Sequence, residues 1–455
     1  MIAQSRLFSA YSASSALKAF FNFIMQKMLS TLMLLWLCAT PLSAMEHRAE
    51  PDGVPLQQLI DQAAPGDTIR LGAGTYFGGV LIDRPLTLLG EDGAIIDAQG
   101  EGDVIRVEAT DVTIRGLTLR HSGFNLTHMN AAVHGARGAH RLTVKDTFMD
   151  RTAFGLWSWH AEDVVFINNR IQGDTRYASQ DRGDGIRLFN VTRGVFRDNV
   201  VWDARDGLYV DTSRELEISH NRFHDLRYGI HYMFAHHGRI IGNHTTGTRS
   251  GYALMMSRDL HVERNTSIND LNYGILLNFI TYSTIINNRV QGVRGWAGGE
   301  EVEHGVVLGA EGKAVFIYNS LHNTIAHNTF ADSEIGIHLT AGSERNELYG
   351  NAFIRNQYQV KYVASRQQEW SHQGQGNYWS DYLGWDLDGD GVGDQPYEPN
   401  DGIDKLLWKY PLAKMLMNSP AIQTLRWVQS QFPILRSPGV RDSHPLMRPP
   451  QKEAA

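Results

Sequence analysis

The most chemically suggestive residues in this sequence are a set of thioethers and imidazoles. His231-Tyr-Met233 is followed by His236 and His237, and then by Met255-Met256, with Met233 and Met255 22 residues apart. Thioether sulfur and imidazole nitrogen suit Cu(I) and need no thiolate beside them. That matters because the single cysteine, Cys38, lies in an N-terminal leader. A second group, His121, His128, Met129 and His134, comes earlier. The competing reading is structural, with methionine filling irregular gaps and histidine satisfying turn backbone.

Two acidic patterns also invite chemistry. Asp386, Asp388 and Asp390, followed by Gly391 and Asp394, have the alternating carboxylates and glycine of a Ca²⁺ loop. Position twelve is Tyr397 and Glu398 comes one place late, so a helical EF-hand is not expected. An oxygen-ligated loop or an array of Asp/Gly turns remains. Asp181, Asp184 and Asp211 fall near Arg187, and paired carboxylates are what glycosidic cleavage requires. Acids that bond their own turn backbone are the alternative.

These residues must be positioned by a repeat. Short β-rich runs end at Asn169, Asn199, Asn221, Asn243, Asn265, Asn288, Asn328 and Asn351, in steps of 30, 22, 22, 22, 23, 40 and 23. A glycine follows most of them eight or nine residues later, as Gly207 follows Asn199. Two markers per 22 residues fit one coil of an all-β, right-handed parallel β-helix, with strands stacked about 4.8 Å apart and asparagines bonding up one corner. The long steps mark insertions near 172–183 and across 291–313. Alternation predicts inward pairs such as Leu208/Val210, Ile230/Tyr232, Tyr252/Leu254 and Val306/Leu308. It turns Trp157/Trp159, Tyr209/Asp211, His231/Met233, Ala253/Met255 and Val307/Gly309 outward, giving an aromatic and sulfur-bearing face.

The ends of the chain differ from this repeat. Lys27, an apolar run from Met28 and Pro41-Leu-Ser-Ala44 predict a signal peptide over 1–44, cleaved after Ala44. Either translation starts at Met25 or Met28, or the charged region is unusually long. Residues 1–44 carry three basic residues and no acid, which leaves 39 basic and 49 acidic residues beyond them, a net of −10. Nucleic-acid binding is not expected from that balance. Residues 45–64 read as an N-terminal cap with a short amphipathic helix, 65–368 as the β-helix, and 369–455 as a mixed extension with the Asp-rich loop and a helical apolar tail over 406–432. This tail is too short and interrupted to span a bilayer; it reads either as an end cap or as a membrane-partner anchor.

The late stretches are specific. GKAVFIYNSLHNTIAHNTF, GIHLTAGSERN, GNYWSDYLGWDLDGDGVGDQPYEPND, LLWKYP, RWVQSQFP and GVRDSHPLM resemble the NosD family of CASH-type β-helices, accessory proteins for maturation of nitrous-oxide reductase. The resemblance implies a periplasmic assembly factor, not an enzyme. It implies association with the inner membrane through an ABC transporter, delivery of Cu(I) by a copper chaperone, and nitrous-oxide reductase as the recipient. On that expectation His231, Met233, His236, His237, Met255 and Met256 form a transient copper relay, and the tail docks on the transporter permease. The alternative is a carbohydrate-binding or polysaccharide-modifying β-helix of epimerase or lyase type.

Overall fold

Strands of three to six residues recur throughout the chain, and their alternation decides which side chains enter the core. The computed structural model describes Met25, Lys27 and residues 44–295, 311–340, 342–363, 366–400, 419–431 and 439–450. Apart from Met25, Lys27 and Ala44, the expected signal peptide lies outside these residues. So do Val306–Gly309 and positions 406–418 and 432 of the tail. The chain divides after Met45, and the unit from Glu46 onward is a parallel β-solenoid.

Each coil contributes a strand to each of three sheets, which have 13, 13 and 12 strands among the described residues. The first sheet runs from Glu46–Ala49 to Glu347–Tyr349, the second from Gly74–Phe77 to Tyr378–Trp379, and the third from Val80–Ile82 to Tyr358–Val363. In the third sheet Leu208, Ile230, Tyr252 and Ile275 stack in register and are fully buried. Burying such side chains contributes about 1.5–3 kcal/mol each. The marker glycines stand at the second position of these strands because a side chain would collide there. A Cβ on Gly207 would lie 2.3 Å from Phe223 and 2.5 Å from the Gly229 carbonyl.

One coil differs from the expected register. The strand paired with Tyr273–Asn278 is Lys313–Tyr318, which sets Val315 and Ile317 opposite Ile275 and Leu277. Val306 and Leu308 were expected in those places. Ala314 stands where other coils have the marker glycine, while the following rung at Ile337 keeps the 22-residue step from Val315.

At the corner between the first and second sheets, the asparagines form a continuous hydrogen-bonded column. In Asn169, Asn199, Asn221, Asn243, Asn265, Asn288 and Asn328, Nδ2 donates to Oδ1 of the next asparagine at 2.9–3.0 Å. The same Nδ2 atoms also donate to a main-chain carbonyl, as Asn221 does to Phe196 O at 2.8 Å. Asn351 continues the column to Asn377. A buried amide with both its donors and its acceptor engaged avoids the desolvation cost of an orphaned polar group.

Both ends are covered. The solenoid's first rung is Glu46–Ala49, inside the stretch expected to be cap alone, and it pairs with Thr68–Leu71. The helix Leu56–Gln62 buries Leu56 and Ile60. Its Gln57 amide bonds the N–H and carbonyl of Leu81 at 2.8 and 3.1 Å, as a strand backbone would, on the open edge of the third sheet. At the far end Trp379 stacks between Phe353 and Tyr397, and Val440–Arg441 pairs with Gln368–Glu369.

Candidate metal site on the outer face of the third sheet

The strand Tyr228–Met233 carries the central residues. Ile230 and Tyr232 point into the core, which turns His231 and Met233 outward. Parallel register places Met233 directly against Met255, and both are half-buried. The Tyr209 hydroxyl donates to Met233 Sδ at 3.6 Å. His231 is buried between the edges of Tyr209 and Tyr228, with ring centroids 4.4 and 4.8 Å away.

The electrostatics beneath His231 are unusual for a sheet surface. Its Nδ1 lies 3.0 Å from Asp206 Oδ2, and Arg227 grips the same carboxylate with two hydrogen bonds at 2.8 and 2.6 Å. Burial would raise the Asp206 carboxyl, but Arg227 and the imidazole outweigh it and hold it below the ordinary value. Facing the Asp206 carboxylate, Nδ1 is the ring nitrogen that donates, which leaves Nε2 as the one a metal would meet. One coil earlier Asp184 pairs with Arg187 at 2.8 Å and Arg205 at 3.0 Å. Burial and the charge of Asp206 push Asp184 up against the pull of those arginines. The face is thus less open than its composition suggests, since Trp157, His231, Ala253 and Leu276 point outward yet are buried.

The remaining predicted residues are distributed differently. His236, His237 and Met256 sit beyond the strand ends, at the corner leading back to the first sheet. The His236 Nδ1 accepts the Arg258 N–H at 3.3 Å, and burial with the Arg258 charge lowers its pKa. His237 is 3.6 Å from Asp259. His121 and His134 are each engaged by a different acid, Asp97 at 3.0 Å and Asp103 at 3.4 Å, and His128 is exposed. Asp181 and Asp211 do not join Asp184 in its ion-pair network. Asp206 and Arg227 escape a reading of the sequence because an Asp before glycine looks like a turn. Their signal is the 22-residue recurrence of Asp184 and Asp206 and of Arg205 and Arg227.

Among the described residues, Asp386, Asp388 and Asp390 are the His, Cys, Asp or Glu side chains whose ligand atoms gather, all within 4.8 Å. Desolvation would raise Asp386, but N–H groups of Gly391 and Gly389 outweigh it and lower it. Asp394 turns to the Leu387 N–H at 2.8 Å instead. The loop is bound to the chain's end, since Gly393 N donates to Pro445 O and Met447 N to Gly391 O.

A family described as "Periplasmic copper-binding protein (NosD)" matches residues 167–384. A protein of Pseudomonas aeruginosa named probable ABC transporter binding protein NosD is 53% identical over 408 residues, covering 89% of this chain and 93% of its own. The chain belongs to the NosD family. A NosD of the same description from Stutzerimonas stutzeri is 48% identical, over 84% of this chain and 87% of its own. Among solved structures, the solenoid of this chain is matched by DFA-IIIase from Arthrobacter chlorophenolicus (TM-score 0.54, 14% identity, 74% of this chain and 99% of that one). It is also matched by the A-module of the Azotobacter vinelandii mannuronan C-5 epimerase AlgE6 (0.51, 16%, 71% and 93%). At such identities these likenesses concern the fold alone.

In this NosD-family chain the tail contributes a helix, Pro420–Gln431, with Ile422 buried and Leu425 and Trp427 51% and 62% exposed. No helix among the described residues is long and apolar enough to cross a membrane.

Proposed function

We propose that this chain is a periplasmic factor that handles Cu(I) during assembly of the copper centres of nitrous-oxide reductase. It works with an ABC transporter at the inner membrane and receives its cargo from a copper chaperone. The observation that carries this reading is the carboxylate-oriented imidazole of His231 beside the stacked thioethers Met233 and Met255. An imidazole fixed by a buried acid and two adjacent sulfurs form a soft, thiol-free donor set for Cu(I) as cargo. His237 and Met256, at the neighbouring corner, are further donors along the relay, and His236 joins them on releasing the Arg258 N–H from its Nδ1. The names of the relatives, which speak of copper and of an ABC transporter, support the same reading.

The exposed Leu425 and Trp427 are the transporter-facing part of the tail. A peripheral apolar helix of this kind docks on a membrane protein without spanning the bilayer. We further propose that Asp386, Asp388 and Asp390 take Ca²⁺, with Asp394 outside the coordination set. The polysaccharide-modifying alternative is weakened because Asp184 and Asp206 are buried and held in arginine ion pairs instead of being presented on the open face to a substrate. A strain lacking this protein should still make reductase polypeptide but without its copper chromophore. Normal copper loading in that strain would contradict the proposal.

A further inference from the structure

Just beyond the last coil, the chain runs extended with its alternation reversed. From Tyr382 to Leu387 the half-buried residues are Tyr382, Gly384 and Asp386, while Leu383, Trp385 and Leu387 project outward and are 94%, 52% and 83% exposed. The two leucines are the most exposed large apolar side chains among the described residues.

This edge is held out by the fold. Tyr382 packs against the core, and its hydroxyl donates to the Gln395 carbonyl. The Trp385 carbonyl accepts the Asp394 N–H at 2.8 Å, and the Leu387 N–H donates to the Asp394 carboxylate at 2.8 Å. Asp386 accepts from the N–H groups of Gly389 and Gly391 at 2.7 and 2.9 Å. With the inward side of the run fixed at Tyr382, Trp385 and Asp386, the three apolar side chains cannot turn back onto the solenoid. Large apolar side chains kept in water in this way mark a contact surface.

Shape and charge select the occupant. Three side chains on one extended edge offer well under the about 800 Å² that each partner gives to a stable protein interface. They form a ridge, and insertion into lipid needs no complementary groove, only apolar area with a ring suited to the headgroup level, as Trp385 is. No Lys or Arg occurs from residue 367 to 404, whereas Asp381, Asp386, Asp388, Asp390 and Asp394 flank or share the edge. Such a border repels anionic headgroups and favours those that carry an ammonium.

We propose that Leu383, Trp385 and Leu387 insert into a zwitterionic lipid surface, with the neighbouring carboxylates facing the ammonium groups of its headgroups. This contact is separate from the tail helix and needs neither copper nor Ca²⁺.

The test is co-sedimentation of the intact protein with vesicles of phosphatidylethanolamine and phosphatidylcholine in EGTA. The wild type should bind them more tightly than phosphatidylglycerol vesicles. Leu383→Ser/Trp385→Ser/Leu387→Ser should lose about a hundredfold or more of that affinity, at unchanged thermal midpoint and unchanged Cu(I) affinity. Trp385→Phe keeps an apolar ring and should still bind, but its tryptophan fluorescence should be quenched less by lipids brominated on their acyl chains. Should the triple variant prove unstable, Trp385→Ser alone should weaken binding in the same direction. Absence of vesicle binding by the wild type overturns the proposal, as does a preference for phosphatidylglycerol in EGTA. So does binding that the triple variant keeps and Leu425→Ser/Trp427→Ser loses, which would place the lipid contact on the tail helix. A wild-type dimer that the triple variant dissolves also overturns it, because the edge would then be a contact between copies.

Discussion

Asp442 ends the asparagine column by accepting from Asn377. Its Oδ2 takes the Asn377 main-chain N–H at 2.7 Å and Nδ2 at 3.2 Å, and also the Trp379 indole N–H at 2.8 Å. A carboxylate has acceptors but no amide donor, so the ladder stops where no further coil exists to receive one. Asp442→Ala should orphan two buried donors, the Asn377 main-chain N–H and the Trp379 indole N–H, since Asn377 Nδ2 keeps the carbonyls of Leu348 and Trp370, and should destabilise the end coil by about 2 kcal/mol or more. Hydrogen exchange at Asn377 and Trp379 should accelerate more than at Asn221. Uniform protection in the variant would contradict a terminating role.

The repeat is legible in the sequence because the same physical requirements recur in most coils. From Asn169 onward an amide closes each corner between the first and second sheets, and in most coils a glycine stands at the start of the third-sheet strand, where a Cβ would strike the next coil. The rung at Lys313–Tyr318 is obscured because Ala314 replaces that glycine after a long insertion. The closing segment around Asp442 has no period at all, since it makes its contacts once. On the outer face, the stacking of Met233 on Met255 follows from their spacing. The Asp206–His231 pairing does not, because it joins residues 25 apart through the pitch of the solenoid.

A buried acid inside the same coils yields a pH prediction. Asp270 accepts from Thr245, Ser267 and Thr248, yet burial raises its carboxyl above the ordinary 3.8. The folded chain therefore binds this proton more tightly than the unfolded one. That contribution to stability is fullest below the unfolded pKa and is lost as pH rises through the folded pKa. Relative to Asp270→Asn, the wild type should gain stability as pH is lowered from about 7 toward about 4. Denaturant midpoints across that range check it, and a pH-independent difference would contradict it.

The Asp-rich loop should respond to Ca²⁺. Because Gly393 and Gly391 are bonded to Pro445 and Met447, an ion on Asp386, Asp388 and Asp390 should also steady the closing segment. The thermal midpoint should be higher in Ca²⁺ than in EGTA, by the equivalent of about 2.7 kcal/mol at a hundredfold excess over Kd. Asp388→Asn/Asp390→Asn should abolish the difference, whereas Asp394→Asn should not.

On the proposed copper reading, Asp206 orients the His231 imidazole without touching the metal. Asp206→Asn should weaken Cu(I) binding by about 10–100-fold, the range seen when the partner of a metal-binding histidine is removed. Asp184→Asn, one coil away, should leave the affinity unchanged.

The most direct measurement of the central claim is Cu(I) titration of the intact protein against a chelator, comparing wild type with His231→Ala and with Met233→Ala/Met255→Ala. The account predicts that the wild type withdraws Cu(I) from the chelator and that both variants lose this capacity, each by more than Asp206→Asn does. Equal affinity in all three proteins would contradict it.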